Sequence, residues 1–308
     1  MFDIAVILIN YNSTEHTINC VNSIIEKTSQ NISYQVIITD NCSEKEEYLK
    51  LKSYCKSLQN ESVSLYQNSI NAGFGGGNMF GLQFANANYY AFVNNDTLFK
   101  NDCLSILKTA LDTNQNIGIA GAQAFKENGD FMISLDHFAS PIREILGRNF
   151  LEIINPKKYP KRKKKYQNPL KVNFVPGSFM FVRANDFNQV GGFDTNIFLY
   201  YEETDLCIRL SKIAKYAYLV PEAEFIHFHG ASTPRSMAIK KELKISLLYI
   251  IRKHYGFLGH FTVSSFLTTK YLLSSIFKPK NWSLFYLLLI GAPLSKSLKM
   301  KQKKIKTI

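Results

Sequence analysis

The chain opens on an apolar run, residues 4–10 (IAVILIN), that ends in polar side chains. The pattern recurs at 34–40 (YQVIITD), 63–68 (VSLYQN) and 89–96 (YYAFVNND). Short continuous apolar runs of this kind predict strands buried on both faces. Helical spacing fills the gaps between them. Residues 14–26 place Ile18, Val21, Ile24 and Ile25 on one face, 76–87 form a second such stretch, and 101–113 align Leu104, Ile106, Leu107 and Leu111. The alternation predicts an α/β fold on a parallel sheet, with ligands at the C-terminal ends of the strands. The polar residues at those ends are Asn10, Tyr11 and Asn12, then Asp40 and Asn41, then Asn94, Asn95 and Asp96.

Regularity lapses over 125–170, where Pro156, Pro160 and Pro169 predict a mobile or surface excursion. It returns at 171–183 (KVNFVPGSFMFVR), read as one or two strands around Pro176 and Gly177. A helix is predicted from near Glu202, with Leu206, Leu210 and Ile213 on one face, and a strand over 216–220 leading to Phe225, Ile226 and His227. From about 238 the chain mixes Leu, Ile, Phe and Tyr with Lys, Arg and His. Its most apolar piece, 282–294 (WSLFYLLLIGAPL), is shorter than the roughly 20 residues a spanning helix needs. Residues 238–308 therefore predict interfacial helices with a basic end and not a transmembrane anchor.

Charge sharpens this division. The formal net charge is +13, but residues 1–234 are close to neutral, whereas 235–308 carry 15 basic residues and one acid, Glu242. A second basic run, Lys157 to Lys165, holds seven cations and no acid. Such segments suit an anionic membrane or nucleic acid, and no nucleic-acid recognition motif accompanies them. The 46% hydrophobic content excludes a chain disordered throughout. Five cysteines without a CxxC spacing argue against a disulfide framework and a cysteine zinc site. The N-terminal run lacks a basic leader and a small-residue cleavage site, which predicts a first strand and a cytoplasmic protein.

The candidate chemistry lies at the strand ends. Asp40 stands where a nucleotide-binding sheet uses an acid to fix a base or ribose, although alone it reads better as a solvated turn acid. No glycine loop follows the first strand, which disfavours a nicotinamide enzyme and a sugar-1-phosphate nucleotidyltransferase. Glycines come after the third strand instead, over 71–78 (NAGFGGGN), where backbone amides at a helix start can approach a diphosphate. Asp96 could hold a divalent cation or merely cap a turn. Residues 200–205 (YYEETD) set three acids, Glu202, Glu203 and Asp205, at a helix start. Acids suit that position electrostatically. Crowded carboxylates also raise one another's pKa, as a general base requires. His227 and His229, two apart on a strand, favour metal binding over a structural role.

From about residue 3 to 235 the chain resembles glycosyltransferase family 2, the inverting GT-A fold enzymes, and in particular its rhamnosyltransferase-like members. The matching pieces, in the family's order, are VILINYNS (6–13), VIITDNCS (36–43), NAGFGGGN (71–78), YAFVNNDT (90–97), PGSFMFVR (176–183), GGFDTNIFLYYEETDLCIRL (191–210) and IHFHGAST (226–233). The resemblance implies a GT-A catalytic domain over 1–237, with nucleotide-sugar binding in 1–100 and the acceptor and catalytic half in 171–235; residues 238–308 lie outside its pattern, and it is their charge and apolar content that predict a basic, helical, membrane-associating extension. It implies that Asp40, with Asn10, holds the donor's base, and that Asn71 and Gly73 lie beside the diphosphate. Asp96 matches the last acid of the DxD metal motif, His227 a histidine near the metal, and Glu203 the catalytic base. Two positions depart from the pattern: Asn94 replaces the first acid of the metal motif, and the usual Glu-Asp pair is Glu202-Glu203.

The expected reaction is inverting transfer of a sugar from a dTDP- or UDP-linked donor to a hydroxyl of a glycan or lipid-linked acceptor for surface polysaccharide. Mg²⁺ or Mn²⁺ is the expected cofactor, and the inner face of the cell membrane the expected location. The alternative is a catalytically inactive nucleotide-sugar binding protein.

Overall fold

A computed structural model describes residues 1–228 and 236–304. The first half runs β1 (Phe2–Asn10), α1 (Thr14–Lys27), β2 (Tyr34–Asp40), α2 (Lys45–Ser57), β3 (Val63–Gln67), α3 (Gly73–Leu82), β4 (Ala87–Asn94), β5 (Thr97–Phe99), α4 (Cys103–Thr113) and β6 (Ile117–Phe125). The second runs α5 (Pro141–Leu146), α6 (Arg148–Ile154), β7 (Leu170–Val172), β8 (Phe179–Arg183), α7 (Ala184–Gln189), α8 (Glu202–Ser211), β9 (Tyr216–His227), α9 (Met237–Phe277) and α10 (Trp282–Leu289). The strands form one mixed sheet in the order β3-β2-β1-β4-β8-β6-β9-β5, with β7 on β9. Its β3-β2-β1-β4 half is parallel, and β8 joins it antiparallel to β4. The chain winds one way from β1 to β3 and then crosses to β4 on the other side of β1. Such a reversal opens a crevice at the strand ends.

Both faces of the sheet are covered, which is why the strands read as unbroken apolar runs. Ile4, Val6 and Leu8 of β1 pack towards Cys20, Val21 and Ile24 of α1 and Leu104 and Leu107 of α4. Ala5 and Ile7 point the other way, into a cluster with Phe92, Phe187, Phe193, Leu206 and Leu210. Two elements gave little signal. Helix α2 buries only Tyr48 and Leu51. Strand β6 is wholly buried but built largely of glycine and alanine, because a side chain at Gly121 would meet Val175 at 2.5 Å.

The expectation of a mobile or surface excursion over 125–170 is corrected in part. Leu135, His137, Ala139, Arg143 and Leu151 are buried, and Arg143 Nη1 donates to the His137 carbonyl at 2.7 Å. Even the basic run is tethered, since Arg162 pairs with Glu152 at 3.0 Å.

The C-terminal extension is helical and packed on the core. Helix α9 breaks at Gly256, whose φ is 69° and ψ −163°. A third core cluster unites Ile245, Leu247, Leu248 and Ile251 of its first half with Val263 and Leu267 of its second and Leu287 and Leu288 of α10. Among the described residues no helix is long and apolar enough to cross a membrane.

Polar contacts also dock α9 on α8. Asp205 of α8, fully buried, pairs with Arg209 at 2.6 Å, Lys253 at 2.7 Å and His254 at 2.8 Å. Burial alone would raise its carboxyl. The hydrogen bond from His254 and the charge of Arg209 outweigh that and hold it far below the usual carboxylate range. The stabilisation is therefore complete above the ordinary carboxylate pKa and is lost only in strong acid. Asp205→Asn strands the cations and should cost about 3–5 kcal/mol, read as a lowered midpoint in urea unfolding at neutral pH.

Candidate active site

A cavity of about 380 Å³ opens at the reversal between β1 and β4. Ile9 and Tyr11 from the end of β1, Val93, Asn94 and Asn95 from the end of β4, and Asn71, Gly73 and Phe74 of the glycine segment form its walls. Tyr11, Asn71, Gly73 and Asn95 thus line one cavity. Only glycine fits at 73. Its φ is +75°, and a side chain there would stand 2.0 Å from the Phe198 carbonyl oxygen. That oxygen accepts the Phe74 amide at 2.9 Å, so the glycine turn is fastened to the segment leading into α8.

Asn10 and Asp40 do not line the cavity. Asp40 is fully buried. It accepts from Asn10 Nδ2 at 2.9 Å and from the Ser43 amide at 3.1 Å. Asn10 in turn accepts from Thr17 at 2.9 Å, and Asn95 Nδ2 donates to Thr17 Oγ1 at 2.8 Å. This chain of bonds ties the ends of β1, β2 and β4 together. The neighbouring Asn41 faces the cavity and donates to Asn71 at 3.0 Å.

The three acids at the start of α8 occupy different environments. Asp205 spends its carboxylate on Arg209, Lys253 and His254. Glu202 is 2% exposed, and its Oε1 has no hydrogen-bond partner. Burial and then the charge of Glu203 push its carboxyl well above the usual range. Glu203 is partly exposed. Burial raises it to about 7, with Asp136 adding to the rise and Arg143 opposing it. Tyr200 and Tyr201, just before them, both have left-handed backbones with φ of 75° and 72°. Strain of that kind costs about 1–3 kcal/mol per residue and gathers at functional sites. Neither glutamate lines the cavity, but Phe198 and Leu199, which lead into their helix, do.

Asp96 and His227 face each other across the β5–β9 edge, with His227 Nε2 3.3 Å from Asp96 Oδ1. Burial raises the Asp96 carboxyl, yet His227, with a smaller influence from His16, holds it below its ordinary value. Its buried Oδ1 makes no aligned hydrogen bond. An under-satisfied carboxylate oxygen beside an imidazole suits a divalent cation. Among the described residues no third acid, histidine or cysteine joins them, so two protein ligands fit a metal only with donor oxygens completing the shell. His229 lies outside the described residues.

The far wall of the cavity was not legible in the sequence. Ser236, Ala238 and Ile239 at the start of α9, and Leu298 and Gln302 near the C-terminus, close it. Glu242, fully buried, holds this segment by accepting from Ser297 Oγ and the Leu298 amide, each at 2.7 Å. Lys299 Nζ donates to the Thr195 carbonyl at 2.5 Å.

Residues 5–191 match the family model described as Glycosyl transferase family 2. Rhamnosyltransferase WbbL of Escherichia coli (strain K12) is 28% identical over 246 residues, covering 74% of this chain and 88% of that protein. N-acetylglucosaminyl-diphospho-decaprenol L-rhamnosyltransferase of Mycobacterium tuberculosis is 37% identical over 87 residues, a match spanning 28% of each chain. In fold, mannosyltransferase PcManGT from Pyrobaculum calidifontis, solved with GDP-Man and Mn²⁺, superposes with a TM-score of 0.57 at 12% identity, over 96% of this chain and 89% of that one.

The C-terminal wall is testable. A chain ending at Lys296 loses Leu298 and Gln302 from the cavity and the partners of Glu242. Donor binding measured by calorimetry should weaken roughly tenfold, the loss of about 1.4 kcal/mol of contact.

Proposed function

The chain belongs to glycosyl transferase family 2 and is a glycosyltransferase, and we propose that it moves one sugar, with inversion, from a dTDP- or UDP-linked donor to a hydroxyl of a lipid-linked glycan in surface polysaccharide synthesis. The observation that carries this reading is the difference among the three acids of α8: only Glu203 is partly exposed and held near neutrality. A rhamnosyl donor is favoured by the relatives' names.

The donor nucleotide lies in the cavity with its base against Tyr11, Asn41 and Asn71, while Asn10 and Asp40 hold that floor from behind. Glycine 73 and the start of α3 lie beside the diphosphate. Mg²⁺ or Mn²⁺, held by Asp96 and His227 with diphosphate oxygens, would offset the charge that develops on the leaving group. Glu203 takes the acceptor proton as the acceptor oxygen bonds to the anomeric carbon. The bond from that carbon to the diphosphate oxygen breaks, and its electron pair leaves with the nucleotide. Glu202, its carboxyl raised by burial and by the charge of Glu203, stays out of the proton transfer. An inactive nucleotide-sugar binding protein has no use for a carboxylate so poised.

We place the protein at the inner face of the cell membrane, on its anionic surface. Exposed apolar side chains on α5 and α6 (Ile142, Leu146, Ile153, Ile154) and beyond the break in α9 (Phe257, Leu258, Phe261) support this position, as do the cations from Lys157 to Lys165. No role is assigned to nucleic acid.

Glu203→Gln keeps size and hydrogen bonding but accepts no proton. It should cut transfer by about 10²-fold or more with donor affinity unchanged. Near wild-type turnover in this variant would move the base elsewhere. Because the working form of Glu203 is ionised, wild-type transfer should fall about tenfold per pH unit below about 7, a limb absent from the residual activity of the variant. EDTA should abolish transfer and Mn²⁺ restore it. Asp96→Ala should lose the metal dependence of donor binding, and full activity of EDTA-treated enzyme would refute the metal assignment.

A further inference from the structure

Away from the donor cavity, a groove of about 770 Å³ lies where the two halves of α9 meet the turn before α10. Lys240 and Lys244 line it from the first half, Lys270 from the second, and Lys278 and Lys280 from the turn, with no acid among the lining residues. The basic side chains nearer the core are paired: Lys253 has Asp194 and Asp205, and Arg162 has Asp136 and Glu152. The five groove lysines make no ion pair among the described residues. Lys244 is partly buried, 5.5 Å from the centre of the Tyr271 ring. Burial and the nearby charges of Lys270 and Arg143 lower its pKa, and Glu144 only partly offsets them. Five unpaired cations held together in a concave site cost repulsion that a multivalent anion would relieve.

Two further observations define that anion. The helical stretch that carries Lys270 and Lys278 also exposes Leu273, Ile276 and Phe277, the last 83% exposed, so charge and apolar surface adjoin. The groove is also close to the reaction centre. Ala238 and Ile239 line the donor cavity while Lys240 and Lys244 line the groove one turn on, and Arg143 influences both Glu203 and Lys244.

We propose that the five-lysine groove binds the diphosphate of a prenyl-diphosphate-linked acceptor, with the prenyl chain on the apolar side chains beside it and the sugar extending towards Glu203. This rests on the lipid-linked acceptor reading above and supplies the site that reading lacks.

The chain's one tryptophan, Trp282, follows the groove residue Asn281 and reports on occupancy. Titration of the full chain with farnesyl diphosphate should give a saturable change in its fluorescence, weakened by salt. Lys244→Gln/Lys270→Gln should reduce affinity roughly tenfold or more, since each charge-assisted contact contributes about a factor of ten, whereas Lys244→Arg/Lys270→Arg should retain it. Wild-type melting temperatures in both variants exclude misfolding as the cause. Farnesol should not bind comparably. Equal affinity of wild type and the glutamine variant, or of farnesol and farnesyl diphosphate, overturns the proposal. Displacement of farnesyl diphosphate by vesicles of phosphatidylcholine and phosphatidylglycerol in equal parts also overturns it, by making the groove a bilayer headgroup site. Glu203→Gln should bind farnesyl diphosphate as the wild type does, so failure of the reaction assignment and failure of the groove assignment appear in different measurements.

Discussion

The arrangement of this enzyme depends on one buried carboxylate. Asp205 collects Arg209 from its own helix and Lys253 and His254 from α9, and in satisfying it the chain fixes the extension against the helix that begins with Glu202 and Glu203. Everything the extension contributes follows from that orientation: Ile239 at the cavity, Glu242 holding Ser297 and Leu298, the lysines facing outwards around their groove. A buried ion pair is weak evidence for net stability, because desolvation consumes much of the attraction. Its effect here is on specificity of docking. Only one placement of α9 gives Asp205 its partners, and an apolar contact of equal area would tolerate sliding.

The same helix start shows how local placement assigns different chemistry to like groups. Glu202, Glu203 and Asp205 lie within four positions, yet the carboxyl of the first is pushed well above its usual range, that of the second to about 7, and that of the third far below the usual range. The causes are separable. Burial and the charge of Glu203 raise Glu202, burial raises Glu203, and the contacts from His254, Arg209 and Lys253 lower Asp205. The strained Tyr200 and Tyr201 turn aims the helix, and the bond from the Phe74 amide to the Phe198 carbonyl anchors that turn to the glycine segment.

Much of this was legible in the sequence. The strands of the parallel half show as apolar runs because both their faces are covered, and the polar residues closing those runs include four that meet at the cavity, Tyr11, Asn41, Asn94 and Asn95, beside Asn71 and Gly73 of the glycine segment. Patterning could not separate residues that face a ligand from residues that face one another. Asp40 and Asn10 sit at strand ends like the others but spend their hydrogen bonds on Ser43, Thr17 and each other. Nor could it distinguish Asp205 from Glu203, since two of the three partners that decide the matter lie about 50 residues further on, at Lys253 and His254. The packing of the extension was hidden for a related reason. Its lysines mark it as a cationic tail, while the contacts that pack it rest on scattered leucines and one acid, Glu242, whose meaning appears only in three dimensions.

A cavity whose walls come from segments far apart in the chain imposes an order on biosynthesis. Ile9 and Tyr11 are made long before Leu298 and Gln302. The sheet can form while the segment around Leu298 is still in the exit tunnel, because domains fold from the N-terminal side as they are made. The completed cavity cannot. A chain terminated before Leu298 therefore carries Glu202 and Glu203 on a folded sheet but lacks the wall that Glu242 holds in place, and the cavity closes only once this segment has left the ribosome.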